Sequence, residues 1–143
     1  GLKSNLSKGP TPLTTSYTIT RNTHTIVAAT AGANAEKVMN SYDDNEASDW
    51  VNDGKQSTAW IEYEIMKASS INEVSLKLNN FRTRSYPIKI SVDGKEVFKG
   101  TTTKNLGYFT ASFKVTIGKK INPEFLRDSR SVPRTRVELV IPP

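Results

Sequence analysis

Cysteine is absent from this 143-residue chain, which removes both a disulfide framework and a thiolate metal site. Histidine occurs once, at His24. A Ser–His–Asp or Cys–His centre would need that residue as its base, and its neighbours Asn22, Thr23 and Thr25 carry no nucleophile motif. His24 therefore reads as a surface turn residue. No GxGxxG, P-loop or HExxH pattern is present, so the common nucleotide and zinc-hydrolase chemistries lose their signatures. No apolar run approaches the length of a membrane span, and no signal peptide is visible. Helical periodicity is almost missing: only Ala31–Met39 could form a turn or two. Aromatics are few, with two Trp, five Tyr and five Phe. Trp50 and Trp60 are assigned to core or loop packing rather than to ligand platforms, because large aromatics dominate cores of this size.

What is present is charge, unevenly distributed. The formal net charge is +6. Seven of the fourteen carboxylates lie between Asp43 and Glu64, where Lys55 is the only cation. That segment carries −6 and the rest of the chain +12. An acidic island in a basic chain calls for a cation or a basic surface beside it. The positive remainder raises acidic glycan or nucleic acid as partners, although scattered lysines also serve solubility alone.

Short alternating runs dominate the remainder. Residues 1–15 hold Pro10 and Pro12 without periodicity and read as a linker or lead-in; 16–143 reads as one domain, large enough for a real core. Ser16–Thr20 and Thr25–Ala29 are β-branched runs, predicted to form a hairpin around Arg21–His24. In Trp60–Ile65, Ile61, Tyr63 and Ile65 share one face and Glu62 and Glu64 the other. Ile71–Leu78 places Val74, Leu76 and Leu78 inward. Tyr86–Val92 repeats the pattern and runs into Asp93-Gly94, a hairpin turn signal, with Lys95–Phe98 returning. In Tyr108–Ile117, Phe109, Ala111, Phe113, Val115 and Ile117 share a face. Segment 118–135 is read as irregular, with one short strand at Glu124–Arg127, and Arg136–Ile141 closes the chain. The fold class expected is all-β: a jelly-roll sandwich of about eight antiparallel strands.

The oxygen-rich stretch Asp43-Asp44-Asn45-Glu46-Ala47-Ser48-Asp49-Trp50 suits a hard cation such as calcium or, equally in form, an Asx-turn with solvated carboxylates. It lacks the glycine and glutamate of an EF-hand loop. Asp43, Asn45, Ser48 and Trp50, then Trp60–Ile65, Ile71–Leu76 and Tyr86–Phe98, together resemble the discoidin or coagulation-factor 5/8 type C superfamily. In particular they resemble its galactose-binding-like carbohydrate-binding modules in exported enzymes of Bacteroidetes-type glycan degraders. The resemblance covers roughly 36–117. It implies one structural calcium ion held by Asp43, Asn45, Ser48 and Glu138. Asp44 stands where the family often has glycine. A second register competes, since Asp53-Gly54-Lys55-Gln56-Ser57-Thr58-Ala59-Trp60 repeats the spacing. The first is preferred here, because Trp60 runs directly into a strand.

The resemblance further implies a non-catalytic carbohydrate-binding module of an exported glycoside hydrolase or lyase, placed outside the cell, at its surface or in the periplasm. Its partners would be a polysaccharide and the parent chain's catalytic domain, without membrane insertion or nucleic acid. Sugar sites combine aromatic faces with planar donors on loops. Asn79–Tyr86 fits best, giving Asn80, Phe81, Arg82, Arg84 and Tyr86 as ligand contacts, with Tyr42 and Tyr108 behind them. Arg82 and Arg84 also suit a carboxylate or sulfate. Tyr86 has the parity of Ile88 and Ile90 and could equally be core. Residue type alone leaves open a glycosidase-type carboxylate pair within 43–64. A ligand-free structural domain, or a protein or anionic-polymer module using the Arg and Lys of 119–136, are the alternatives.

Overall fold

The alternating runs form nine strands in the computed structural model, which describes residues 20–43, 48–77, 85–102, 108–126, 131–132 and 134–141, the last two stretches as backbone. They are β1 (Thr20–His24), β2 (Ile26–Ala31), β3 (Trp50–Val51), β4 (Ile61–Lys77), β5 (Pro87–Val92), β6 (Lys95–Thr101), β7 (Tyr108–Phe125), β8 (Ser131–Val132) and β9 (Arg134–Ile141). Every pairing is antiparallel.

Two long strands organise the rest. β4 and β7 have 17 and 18 residues and pair along nearly their whole length. Their register shifts between Glu64 and Ser69, and Met66, Lys67 and Ala68 are exposed there. This is a corner, where the paired ribbon passes from one layer to the other. Before it, Ile61–Ile65 of β4 pairs with β2, and Ile121–Phe125 of β7 pairs with β5, which carries β6. That gives a five-stranded sheet, β2-β4-β7-β5-β6. After the corner, Glu73–Lys77 pairs with β9, which carries β1. That gives a four-stranded sheet, β1-β9-β4-β7. The result is a jelly-roll sandwich.

One apolar cluster fills it. Ile61, Tyr63 and Ile65, then Val74 and Leu76, and Ile88, Ile90 and Val92 are all essentially buried, as the alternation predicts, and Ile121 and Phe125, from the segment expected to be irregular, are buried with them. Each such side chain contributes about 1.5–3 kcal/mol by leaving water. Trp50 is buried with them, and its Nε1 donates to the Ala33 carbonyl at 2.8 Å. A short 3₁₀ helix, Ala35–Ser41, closes one flank. Ser41 Oγ donates to the Val38 carbonyl (2.7 Å), so the Tyr63 hydroxyl 2.7 Å away donates to Ser41.

Several expectations need correction. The first two strands do not form a hairpin: β1 pairs with β9 and β2 with β4. Residues 21–24, expected as a turn, lie in β1, and the chain changes sheets at Thr25. The Thr25 carbonyl accepts from Met66 N–H (3.1 Å), and His24 Nε2 donates to the Ser70 carbonyl (2.8 Å). The two runs expected as separate strands, 60–65 and 71–78, fall in one strand, Ile61–Lys77, with Leu78 outside the described residues. β7 runs through Gly118 to Phe125, where an irregular segment was expected. Val115 and Ile117 are not core; Ile117 is 72% exposed. A second register shift, Ile71 to Glu73 against Thr116 to Ser112, reverses the alternation there and turns them outward.

The Asp93-Gly94 turn forms as expected, with φ of 49° and 84°. Asp93 Oδ1 accepts from the N–H groups of Lys119 (3.1 Å) and Lys120 (2.9 Å), fastening the turn to the corner. Gly118 makes that approach possible. A Cβ there would lie 2.3 Å from Val92 Cγ1 and 2.9 Å from Asp93 Oδ2. Gly118→Ala should therefore destabilise the domain by about 1–3 kcal/mol, as overpacked sites do. An unchanged midpoint in denaturant unfolding would contradict this packing.

Candidate functional site

Both sheets end together on the side away from the corner. In the five-stranded sheet, Phe125 N–H donates to the Ala59 carbonyl (2.8 Å) and Leu126 N–H to the Pro87 carbonyl (2.9 Å). Just beyond, Tyr86 and Thr102 are locked twice. Thr102 N–H donates to the Tyr86 carbonyl (2.9 Å), and Tyr86 N–H donates to Thr102 Oγ1 (2.8 Å). In the four-stranded sheet the same end is marked by Lys77, which pairs with Tyr108 on one side and Arg134 on the other. Segments 78–84 and 103–107 are therefore rooted side by side, at Lys77–Tyr108 and at Tyr86–Thr102. Two cationic residues, Lys77 and Arg134, stand in register at this base.

The loop before β4 reaches the same end. Gln56 Nε2 donates to the Phe125 carbonyl (2.6 Å), and Trp60 bridges to Glu124. Within this loop, Gly54 has φ of 95°. The turn brings oxygens around one hydroxyl: Thr58 Oγ1 lies 2.6 Å from Asp53 Oδ1, 3.1 Å from Asn52 Oδ1 and 3.2 Å from the Lys55 carbonyl. A hydroxyl has one proton for those three acceptors. Asp53 Oδ1 also accepts from Lys55 N–H at 3.0 Å. The Thr58 hydroxyl and then the Lys55 N–H hold the Asp53 carboxyl below the ordinary aspartate value of 3.8. The donor set is oxygen-only, with one carboxylate and neutral groups, and it fits a hard cation. No cluster of three or more His, Asp or Glu residues suited to a metal occurs among the described residues.

The residues singled out from the sequence divide as follows. Asn80, Phe81, Arg82, Arg84 and Asn45 lie outside the described residues. Tyr86 is at the base of the loop end but is 1% exposed, so it is core and offers no ring face; its alternation with Ile88 and Ile90 decides this. Tyr108 is part-exposed at the root of 103–107. Tyr42 is half-buried and meets Tyr63 edge-on, with centroids 5.9 Å apart at 87°. Asp43 is exposed and accepts from Ser48 Oγ at 2.7 Å. Glu138 sits mid-strand in β9, in register with Thr23 and Glu73. Glu73, 7% exposed, pairs with Arg21 at 2.5 Å. In the second register, Asn52, Asp53 and the Lys55 carbonyl converge on Thr58, which spacing alone did not reveal. The signal was Asn52-Asp53-Gly54, a turn sequence whose glycine takes φ > 0.

No family model matches the chain, and no curated protein does. Solved structures do. A truncated AlyQ with CBM32 and alginate lyase domains superposes with a TM-score of 0.76 at 21% identity, over 85% of this chain and 34% of that one. The chain thus spans about a third of that longer protein. The CBM32 of AlyQ in complex with 4,5-unsaturated mannuronic acid gives 0.73 at 23% identity, covering 81% and 97%. A pectin-binding carbohydrate-binding module gives 0.69 at 20% identity, covering 80% and 91%. This chain has the fold of the CBM32 modules. The antiparallel jelly-roll sandwich expected from the sequence is therefore present.

The Asp53 loop makes a prediction about pH. A depressed carboxyl adds stability above its unfolded value, and this is lost as pH falls through the folded value. Thr58→Val removes the larger cause, so the Asp53 carboxyl should titrate closer to 3.8. Carbon-detected NMR titration measures this directly; an unmoved Asp53 titration in T58V would contradict the assignment.

Proposed function

We propose that the chain is a non-catalytic carbohydrate-binding module whose loop end takes an acidic polysaccharide, rich in uronate or sulfate. The observation that carries this reading is the shared base of segments 78–84 and 103–107, at Lys77–Tyr108 and Tyr86–Thr102. The sequence of those segments supplies Asn80, Phe81, Arg82, Arg84 and Lys104. Aromatic and amide groups suit sugar rings and hydroxyls, and guanidinium groups suit carboxylates in bidentate fashion. The charge of +12 outside the acidic segment favours an anionic chain. Two solved structures of this fold point the same way, one with unsaturated mannuronic acid and one described as pectin-binding.

The reading extends to placement. The chain would accompany an exported glycan-active enzyme and hold it on its substrate, raising local concentration rather than performing chemistry. No helix among the described residues is long and apolar enough to cross a membrane. A ligand-free accessory domain is the competing reading. Calorimetric titration with hexagalacturonate and hexamannuronate separates them. Binding should appear, weaken steeply between low and moderate salt, and be abolished in Arg82→Ala and Phe81→Ala without loss of folding. Unchanged affinity in both variants would overturn this site, and absence of binding to every acidic glycan would favour the structural reading.

We also propose a structural calcium ion, held by Asp53, Thr58 and the Lys55 carbonyl rather than by the Asp43 set. The convergence of oxygens on Thr58 supports this register. Calcium would brace the loop against β7 and supply no chemistry. Added calcium should raise the melting temperature and a chelator lower it, as expected for a ligand of the native state. Asp53→Asn should remove that response and Asp43→Asn should keep it. The reverse pattern would restore the Asp43 assignment.

A further inference from the structure

The outer face of the five-stranded sheet carries a feature that the loop end does not use. Glu62 of β4, Asn122 of β7 and Ser91 of β5 stand in one row across the sheet. Along β7, Lys120 and Glu124 flank Asn122 on the same face. With Lys89, these residues line an open groove of about 540 Å³. Nearly all of the face is internally balanced. Lys89 Nζ lies 3.7 Å from Glu124 Oε1, and Lys120 Nζ lies 3.9 Å from Glu62 Oε2. Asp93, at the rim, is met by the Lys119 and Lys120 N–H groups. Asn122 is the exception. Its Oδ1 is buried and has no hydrogen-bond partner among the described residues.

A buried acceptor without a donor costs about 1–3 kcal/mol, and native proteins hold such groups rarely, so each calls for a donor from water, an ion or a ligand. The donor that would complete it must be small enough to enter between the Glu62 and Ser91 columns. It should also carry little charge. Each carboxylate on the face already has a cation or N–H group beside it, so neither an acid nor an amine finds an uncompensated partner. The two ion contacts are longer than the ~2.7–2.9 Å of tight charge-assisted bonds, leaving carboxylate and ammonium capacity for further hydroxyls.

We propose that this sheet face is a second glycan-contact surface, centred on Asn122 Oδ1 and accepting hydroxyl groups of an uncharged saccharide. From Glu124 to Lys120 the face runs about 13 Å along β7, at the usual rise per residue, long enough for an extended chain rather than a single ring. At its head it reaches Trp60 beside Glu124, at the loop end. A polysaccharide with charged and uncharged stretches could therefore engage both surfaces, although the sheet site stands without the loop site.

The test is an amide chemical-shift titration of the intact chain with cellohexaose and with mannohexaose. At least one should shift Glu62, Ser91, Lys120 and Asn122, with the Thr102 and Tyr108 amides unmoved. Asn122→Leu should lose that response at least ten-fold while melting no lower than the parent, because it removes an unsatisfied acceptor. Asn122→Ser, which keeps a smaller acceptor, provides the check should the leucine variant fail to fold, and it should retain weakened binding. No shift on the sheet face with either sugar would mean that Asn122 holds water only, and would overturn the proposal. An undiminished response in both variants would overturn it as well. Failure of acidic glycans at the loop end would leave these readouts untouched.

Discussion

The β4–β7 pairing is the constraint on which the rest depends. Because both strands pass through the corner, a single ladder contributes to both layers of the sandwich; β2, β9 and β5 add directly to its edges, β1 and β6 through β9 and β5, and β3 and β8 pair apart from it. Three local features keep that ladder bent. Exposed Met66, Lys67 and Ala68 leave room for the turn on β4. Gly118 lets β7 pass against Val92. Asp93 caps two successive N–H groups of β7 with one carboxylate oxygen. The corner closes one end, so the strand ends of both sheets are delivered to the other. The loop end is thus a consequence of the bend rather than an independent element, and sequence variation in the loops can be accommodated without disturbing the ladder.

Much of this architecture was legible because burial alternates with period two. Ile61, Tyr63 and Ile65, and Ile88, Ile90 and Val92, announced their faces directly. Asp93-Gly94 announced its turn, since only small or Asx-type residues accept two successive positive φ values. The failures have equally physical causes. Residues 21–24 are polar and alternate weakly, so Arg21 gave no sign of reaching Glu73, a partner 52 positions away. Val115 and Ile117 look like core because alternation was extrapolated through a register shift that no local pattern marks. Segment 118–135 looked irregular, and nothing in the sequence marked Gly118 as a point of close approach within a continuing strand.

The candidate site was legible in kind more than in detail. The sequence identified the segments whose roots meet at the loop end. It could not decide whether Tyr86 faces a ligand or the core, because a strand entering a sandwich serves both faces; burial decides for the core. Nor could spacing alone separate Asp43 from Asp53, since both sequences have the same offsets. What the structure adds is geometric: Asn52, Asp53 and the Lys55 carbonyl turn toward Thr58, and Asp43 accepts from Ser48. Asn122 was invisible for a related reason: an unpartnered acceptor is a property of its neighbours' positions, not of its own residue type.

Charge ties the fold to the proposed activity. On β4, Glu62 and Glu64 are matched by Lys120 and Lys119 of β7, and Glu73 by Arg21. The most direct measurement is an amide-shift map of the chain with trigalacturonate at low salt. The account predicts shifts at the base of the loop end, at Lys77, Tyr86, Thr102 and Tyr108, and none at His24, Met66 or Gly94 around the corner. Shifts confined to the corner, or no shifts anywhere at millimolar ligand, would contradict it.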